Sequence, residues 1–452
     1  MRNPPVSSSG RSVPMRGSGT RPNILLIVPH DTGDYFGCYG RGTVRTPNID
    51  ALADEGVRFA NSFCTAPQCS PSRASIFTGS YPQTHGVLGL AQIPFRWKMK
   101  EGITALPELL SRAGYETVLL AGQHATFDTS QLGFRFIMPP DDPVKNAVTF
   151  IGDRKDDSKP FFAHLMLDTT HRKFRFEPDT TLGVSVPRFL PDCPASREDF
   201  ALFQGAIYQL DKEIGLILQA LRDSGLEEDT LVVFVTDHGI PFPRAKCTLY
   251  DPGIKTAFIL RWPAGEISGG RIIEHLVSHV DIAPTLLELL GLEVPDKMQG
   301  RSFANILSGG ETQPPRREIF AQKTFHNFYD PMRCVRTERY KLIVRFSHSG
   351  FIETPADVLE DPLVRQYLAV EDDRYIRGEN EMIELYDLSA DPAEQRNLAN
   401  DERYGRIKEG LLSKLLDWME EVDDPILRGP IPSRQYEEIV SSFKDRQRAY
   451  RL

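Results

Sequence analysis

NILLIVPHD (residues 23–31) carries an apolar run into a histidine and an aspartate, and LVVFVTDHG (residues 231–239) repeats the event much later in the chain. Both runs are short and rich in aliphatic and β-branched residues, the pattern of a strand buried on both faces. The first is also too short to cross a bilayer. Each delivers an acid at its C-terminal end, and in an open parallel sheet that edge is where ligands bind. Asp31 and Asp237 are therefore expected to meet in one site, with His30 and His238 beside them. A single strand-end Asp commonly caps a turn. Two of them, each next to a His, make a candidate metal site.

Outward from these strands the chain alternates. TPNIDALADEG (46–56) predicts a helix with Thr46 as N-cap and Pro47 at its first position. ALPELLSRAGYETVLLAG (105–122) reads as a helix, a stop at Gly114 and a strand, and FFAHLML (161–167) as another strand. REDFALFQGAIYQLDKEIGLILQALRDSG (197–225) is a long amphipathic helix. This alternation predicts an α/β fold, an α/β/α sandwich around a large, mostly parallel sheet. SGGETQPPRRE (308–318) reads as a linker, and REIFAQK (317–323), YKLIVRF (340–346) and IELYDLS (383–389) as short strands beyond it. A helix over 401–421, with a stripe through Leu411, Leu412, Leu415 and Trp418, completes a small C-terminal α+β subdomain.

The expected division is a disordered Ser-, Gly-, Pro- and Arg-rich leader at 1–21, a main domain at 22–310 and the C-terminal subdomain at 311–452. The long connections 174–200 and 353–380 are expected to line the entrance to the site. A net charge of -9 over 452 residues argues against a nucleic-acid partner. Six scattered cysteines without a CxxC pair fit a reducing compartment, and no apolar leader or span is seen, so a cytoplasmic protein without a membrane partner is expected.

CSPSRASIFTG (69–79) holds the chemistry. Pro71 suits the first turn of a helix starting near Ser70, which puts Cys69 at its positive end and Arg73 one turn along. The residues alone leave two readings: a buried structural thiol, or a nucleophile acting on an anionic substrate. A cysteine phosphatase would need a phosphate-cradling loop ending in Arg, and the stretch lacks one.

CSPSRASIFTG resembles the sulfatase signature C-x-P-x-R, and TPNIDALADEGVRFANSFC (46–64) resembles the run leading into it. HVDIAPTLLELLG (279–291), GRSF (300–303) and ELYDLSADPAEQRNLA (384–399) resemble later landmarks. The resemblance spans roughly residues 22–420 and is to the formylglycine-dependent sulfatases of the alkaline phosphatase superfamily. Residues 195–243, TLYDPG (248–253) and DPMRCV (330–335) resemble the N-sulfoglucosamine sulfohydrolase (sulfamidase) branch.

The resemblance implies hydrolysis of a sulfate ester or sulfamate on a small sulfated sugar, after a formylglycine-generating enzyme oxidises Cys69. One hydroxyl of the hydrated aldehyde attacks sulfur, and the other loses its proton to expel sulfate. By the same resemblance Arg73 supports Cys69, and His124 contacts the diol. His171 and Lys246 contact the sulfate or the leaving group, with Arg172 a further substrate contact. Asp31, Asp237 and His238 match metal positions and His30 joins them; the implied metal is Ca2+, with Mg2+ or Mn2+ as alternatives, acting as a Lewis acid. Homo-oligomerisation is left open.

Two departures stand out. His30 replaces an acid of the family pattern, and Ala121-Gly122-Gln123-His124 lacks the lysine of the family's G-K-x-H. The first removes a negative charge and the second a positive one, so the two changes are expected to compensate. Imidazole at His30 also favours Mn2+ or Zn2+ over Ca2+. With the lysine gone, Lys246 is expected to be the main flexible cation on the substrate anion. The rivals are a phosphonate monoester hydrolase or phosphodiesterase of the same superfamily, and a non-catalytic sugar-binding relative. Retention of Cys69, Arg73, Asp31, Asp237 and Lys246 together argues against the latter.

Overall fold

Burial on both faces explains the central strands. In the computed structural model, which describes residues 21–155, 157–310, 313–347, 353–369 and 381–449, every residue from Ile24 to Val28 and from Leu231 to Val235 is inaccessible to water. The leader expected at 1–21 lies, apart from Arg21, outside the described residues, as do parts of the linker and of the 353–380 connection. The strands of the main sheet are β1 (Asn23–Pro29), β2 (Val57–Phe63), β3 (Glu116–Leu119), β4 (Phe136–Ile137), β5 (Phe161–Leu167), β6 (Thr230–Val235), β7 (Lys255–Thr256), β8 (Phe258–Arg261) and β9 (Arg271–Ser278). They lie in the order β4-β3-β5-β1-β6-β8-β2-β7, with β9 also paired to β2. β1 is central, parallel to β5 on one side and to β6 on the other. Only β7 and β8 run antiparallel to their neighbours. One large apolar cluster lies on each face of the sheet, which makes the α/β/α sandwich.

The local expectations stand with adjustments. Pro47 opens the helix Pro47–Glu55 and Thr46 is its N-cap residue, but the Thr46 side chain makes no capping bond. Its hydroxyl accepts from Gly37 N–H (2.8 Å) and donates to Asp50 (3.0 Å), fastening the preceding loop instead. The helix Leu106–Arg112 ends before Gly114, whose φ of 95° is the left-handed conformation of a helix stop. The long helix runs from Pro194 to Asp223.

Four antiparallel strands follow: β10 (Glu318–Phe325), β11 (Tyr329–Thr337), β12 (Tyr340–Arg345) and β13 (Ile383–Asp387). β11 was missed because YDPMRCVRT holds a proline and two arginines where an interior strand ordinarily has none. The proline is tolerated beside a register shift between Lys323 and Phe325 of β10, and Arg333 is buried in an ion pair with Asp424. One face of this sheet, through Ile319, Ala321, Met332 and Cys334, packs on the main domain. The other face, through Val335, Leu342 and Leu385, takes the Leu411, Leu415 and Trp418 stripe of the helix Gly405–Glu421. A last helix, Arg434–Ala449, was not expected. All six cysteines are unpaired, and no helix among the described residues is long and apolar enough to cross a membrane.

Arg172 departs from its expected role as a substrate contact. Its side chain has no exposed surface. The guanidinium donates to both oxygens of Asp199 on the long helix (2.8 and 2.7 Å), to Asp361 (2.9 Å) and to the Pro241 carbonyl (2.7 Å). Phe174 and Phe242 lie against the guanidinium, each ring centroid 4.7 Å from it. Arg172 therefore rivets the 168–174 loop to two helices. Arg172→Ala would strand buried carboxylates, and the expected loss is about 3–5 kcal/mol, read as a lower denaturation midpoint. A variant as stable as the parent would contradict this assignment.

Candidate active site

The ends of β1 and β6 bring the two acids together. Asp31 N–H donates to Asp237 Oδ1 at 2.9 Å, and His238 N–H donates to the same oxygen at 2.9 Å. The loop carrying His30 is clamped by the hydroxyls of Thr32 and Thr170, both donating to the His30 carbonyl at 2.6 Å. Asp31 itself has a φ of 52°. Neither carboxylate has any exposed surface.

Cys69 is the first residue of the helix Cys69–Thr78, whose ten residues are all buried. That explains its small-residue composition: Ser70, Ser72, Ala74 and Ser75 let the helix lie inside the domain, and each serine hydroxyl finds a partner. Ser72 also bonds the Asp237 carbonyl and lies 2.9 Å from His279 Nδ1. Arg73 reaches Asp237 Oδ2 with Nε at 3.1 Å and Nη2 at 3.0 Å, and Nη1 donates to the Val28 carbonyl at 3.2 Å. Cys69 Sγ lies 3.4 Å from His238 Nε2.

Lys246 is not the mobile cation expected. Its side chain is 2% exposed, and its ammonium is fixed between Asp31 Oδ2 (2.7 Å) and Asp357 Oδ2 (2.8 Å). Asp357 belongs to the short helix Ala356–Leu359, which Val358 and the following Val364 and Tyr367 anchor in the main core. The sequence marked 353–380 only as a long acidic connection, and that acidity was the available signal for Asp357. His171, one-third exposed, places Nε2 3.8 Å from Asp31 and 3.7 Å from Asp357. Its Nδ1 is 2.6 Å from the Arg172 carbonyl, so Nδ1–H donates there and Nε2 faces the site. His124, at a φ of 55°, is held by a turn closed by Gln123, and its Nε2 lies 2.5 Å from Gln92 Oε1. Gln92 and Ser72 were not identified from the sequence.

The charges support one another. Burial alone would raise the Cys69 thiol, but Lys246, His238 and His124 hold it well below its ordinary value. Burial likewise opposes ionisation of Asp31 and Asp237, and is outweighed by Lys246, His171 and His238 at the first and by His238, Arg73 and His30 at the second. Against the same penalty His238 is raised well above its ordinary value by Asp237, Asp31 and Cys69. Burial pulls His124 below its ordinary value and favours the neutral imidazole.

The donor set suits a divalent cation. Atoms of His30, Asp31, Cys69 and Asp237 lie mutually within 4.8 Å. His30 Nδ1 and Asp31 Oδ1 are buried with no hydrogen-bond partner. His30 Nδ1 is 3.2 Å from Asp237 Oδ2, and His238 Nε2 is 3.0 Å from Asp31 Oδ1. Such edges are those of ligands about 2.0–2.4 Å from one ion. By contrast, a cavity of about 570 Å³ lined by Gly33, Asp34, Arg41, Arg188 and Lys255 includes none of these residues. Asp34 there is already paired with Arg41 and Lys255.

Comparison with known proteins gives the family. The Sulfatase family model matches residues 22–292, and one described as N-sulphoglucosamine sulphohydrolase, C-terminal, matches residues 242–368. The chain is 29% identical to human (Homo sapiens) N-sulphoglucosamine sulphohydrolase, covering 90% of this chain and 92% of that protein. Among solved structures, a 2-O GAG sulfatase superposes with a TM-score of 0.71 at 22% identity, covering 91% of this chain and 95% of the other. The phosphonate monoester hydrolase of Agrobacterium radiobacter gives 0.70 at 22% identity, covering 89% and 96%. The fold alone thus does not separate sulfur from phosphorus chemistry. The signature around Cys69 and the match over more than half its length place this chain in the sulfatase family.

Proposed function

We propose that the protein hydrolyses a sulfate ester or sulfamate on a sugar, with N-sulfoglucosamine the leading candidate, through formylglycine made from Cys69. The observation that carries this reading is the placement of Cys69 Sγ. It sits at the head of a buried helix, 3.4 Å from His238 and beside two strand-end acids, in a pocket whose cations pull it toward the anion. The hydrated aldehyde supplies an oxygen nucleophile and a route for expelling sulfate. A divalent cation on Asp31, Asp237, His30 and His238 supplies Lewis-acid charge.

The remaining work belongs to side chains already in position. Arg73, fixed on Asp237, adds positive charge behind residue 69. His124, neutral and oriented by Gln92, takes the proton whose loss expels sulfate. Lys246 faces the sulfate oxygens with its charge pre-oriented, so little reorganisation accompanies reaction. As the imidazolium, with Nδ1–H on the Arg172 carbonyl and its second proton on Nε2 beside Asp31 and Asp357, His171 hands that second proton to the leaving oxygen or nitrogen and is left neutral. A sulfamate needs that proton most, because an amide anion is a poor leaving group.

Produced with a formylglycine-generating enzyme, the peptide containing Cys69 should be about 18 Da lighter than the thiol form. The converted protein should release sulfate from N-sulfoglucosamine or an aryl sulfate faster than it cleaves a phenyl phosphonate. Cys69→Ala should abolish turnover. Full activity in that variant, or preference for the phosphonate, would overturn the reading. Asp357→Asn should lower kcat/KM by about tenfold to a hundredfold, because the Lys246 ammonium loses one of its two carboxylates. Unchanged turnover would mean that Asp31 alone sets Lys246.

A further inference from the structure

Two imidazoles as well as two acids cluster around Cys69. Nitrogens of His30 and His124 lie within 4.8 Å of Cys69 Sγ and of each other, and the two rings are 5.5 Å apart. His30 is 3% exposed, and its buried Nδ1 makes no well-formed hydrogen bond but lies 3.2 Å from Asp237 Oδ2, as one ligand of an ion lies from the next. His124 is fixed by the short contact from Nε2 to Gln92 Oε1, which leaves Nδ1 as the unprotonated nitrogen. An outer hydrogen bond that sets the tautomer is the usual support of a metal-binding histidine. Asp31 and Asp237 lie in the same cluster as His30 and Cys69 and add negative charge.

We propose that the chain in which Cys69 remains a thiol binds one Zn2+ through Cys69 Sγ, His30 and His124, with the fourth position left open. Sulfur and imidazole together select a soft or borderline cation such as Zn2+ or Co2+ over Ca2+ or Mg2+. A thiolate is the ligand form of cysteine, and Cys69 Sγ already lies within ligand spacing of His30 and His124. Conversion to formylglycine removes the sulfur and with it the site. Unconverted chains then hold zinc on sulfur, with the thiolate capped against oxidation, and converted chains cannot. The inference does not rest on the hydrolysis proposed above: zinc binding by the thiol form and sulfate release by the converted form are separate measurements.

The test uses the full chain made in a host without a converting enzyme, titrated with Zn2+ against a chromophoric chelator and separately with Co2+. One ion per chain and a near-ultraviolet sulfur-to-cobalt charge-transfer band are expected. Cys69→Ser should remove the band, and His30→Asp, which restores the family's acid, should weaken Zn2+ binding at least tenfold. Circular dichroism checks that both variants fold, and the band in the unaltered chain needs no variant. Absence of the band, or Zn2+ affinity unchanged in either folded variant, would overturn the proposal.

Discussion

Two carboxylates held away from water govern this structure. Asp31 and Asp237 sit at the ends of adjacent buried strands with no exposed surface. An isolated buried ion costs several kcal/mol after relaxation, so cations must be brought inside with them. Arg73 supplies one from the helix Cys69–Thr78 and Lys246 another from the loop after β6. Lys246 then faces the same problem, and Asp357 crosses from the C-terminal part of the chain to meet it. The site is thus a chain of mutual charge compensation, and each member fixes the next.

This arrangement also explains why so much of the helix Cys69–Thr78 is buried. Arg73 reaches Asp237 only if the helix lies against the strand ends, and small residues let it lie there. The electrostatic balance has a definite pH range in the absence of a cation. Asp31 and Asp237 are depressed, so their pairing stabilises the fold above the ordinary carboxylate range and is lost as pH falls through their folded values. His238 is raised, so its contribution is complete below the ordinary histidine value and is lost as pH rises through the folded one. A cation between the acids would displace the His238 proton and take over its charge.

Much of this was legible in the sequence because the governing features are local. The strands ending in His30-Asp31 and Asp237-His238, the Cys69–Arg73 spacing and the alternation of strand and helix are all short-range patterns. What was not legible is long-range. Arg172 looks like a surface neighbour of His171, and only the tertiary meeting with Asp199 and Asp361 reveals a buried rivet. Lys246 reads as a mobile side chain on a proline-rich loop until Asp357, far along the chain, arrives to pin it. β11 was hidden because Pro331, Arg333 and Arg336 contradict strand composition, and their compensation, including Asp424 and Asp251, comes from outside the strand. In each case a charge that local pattern assigns to solvent is neutralised by a residue from another element.

One cation and one sulfate are proposed to share the space between Asp31, Asp237 and residue 69. Anomalous-scattering crystallography of the converted, metal-loaded protein with a slowly hydrolysed sulfated sugar tests it most directly. One anomalous peak in contact with both Asp31 and Asp237 is expected, with a sulfate within reach of residue 69 and Lys246. A cation away from these carboxylates, or a sulfate seated in the separate cavity lined by Arg41 and Lys255, would contradict it.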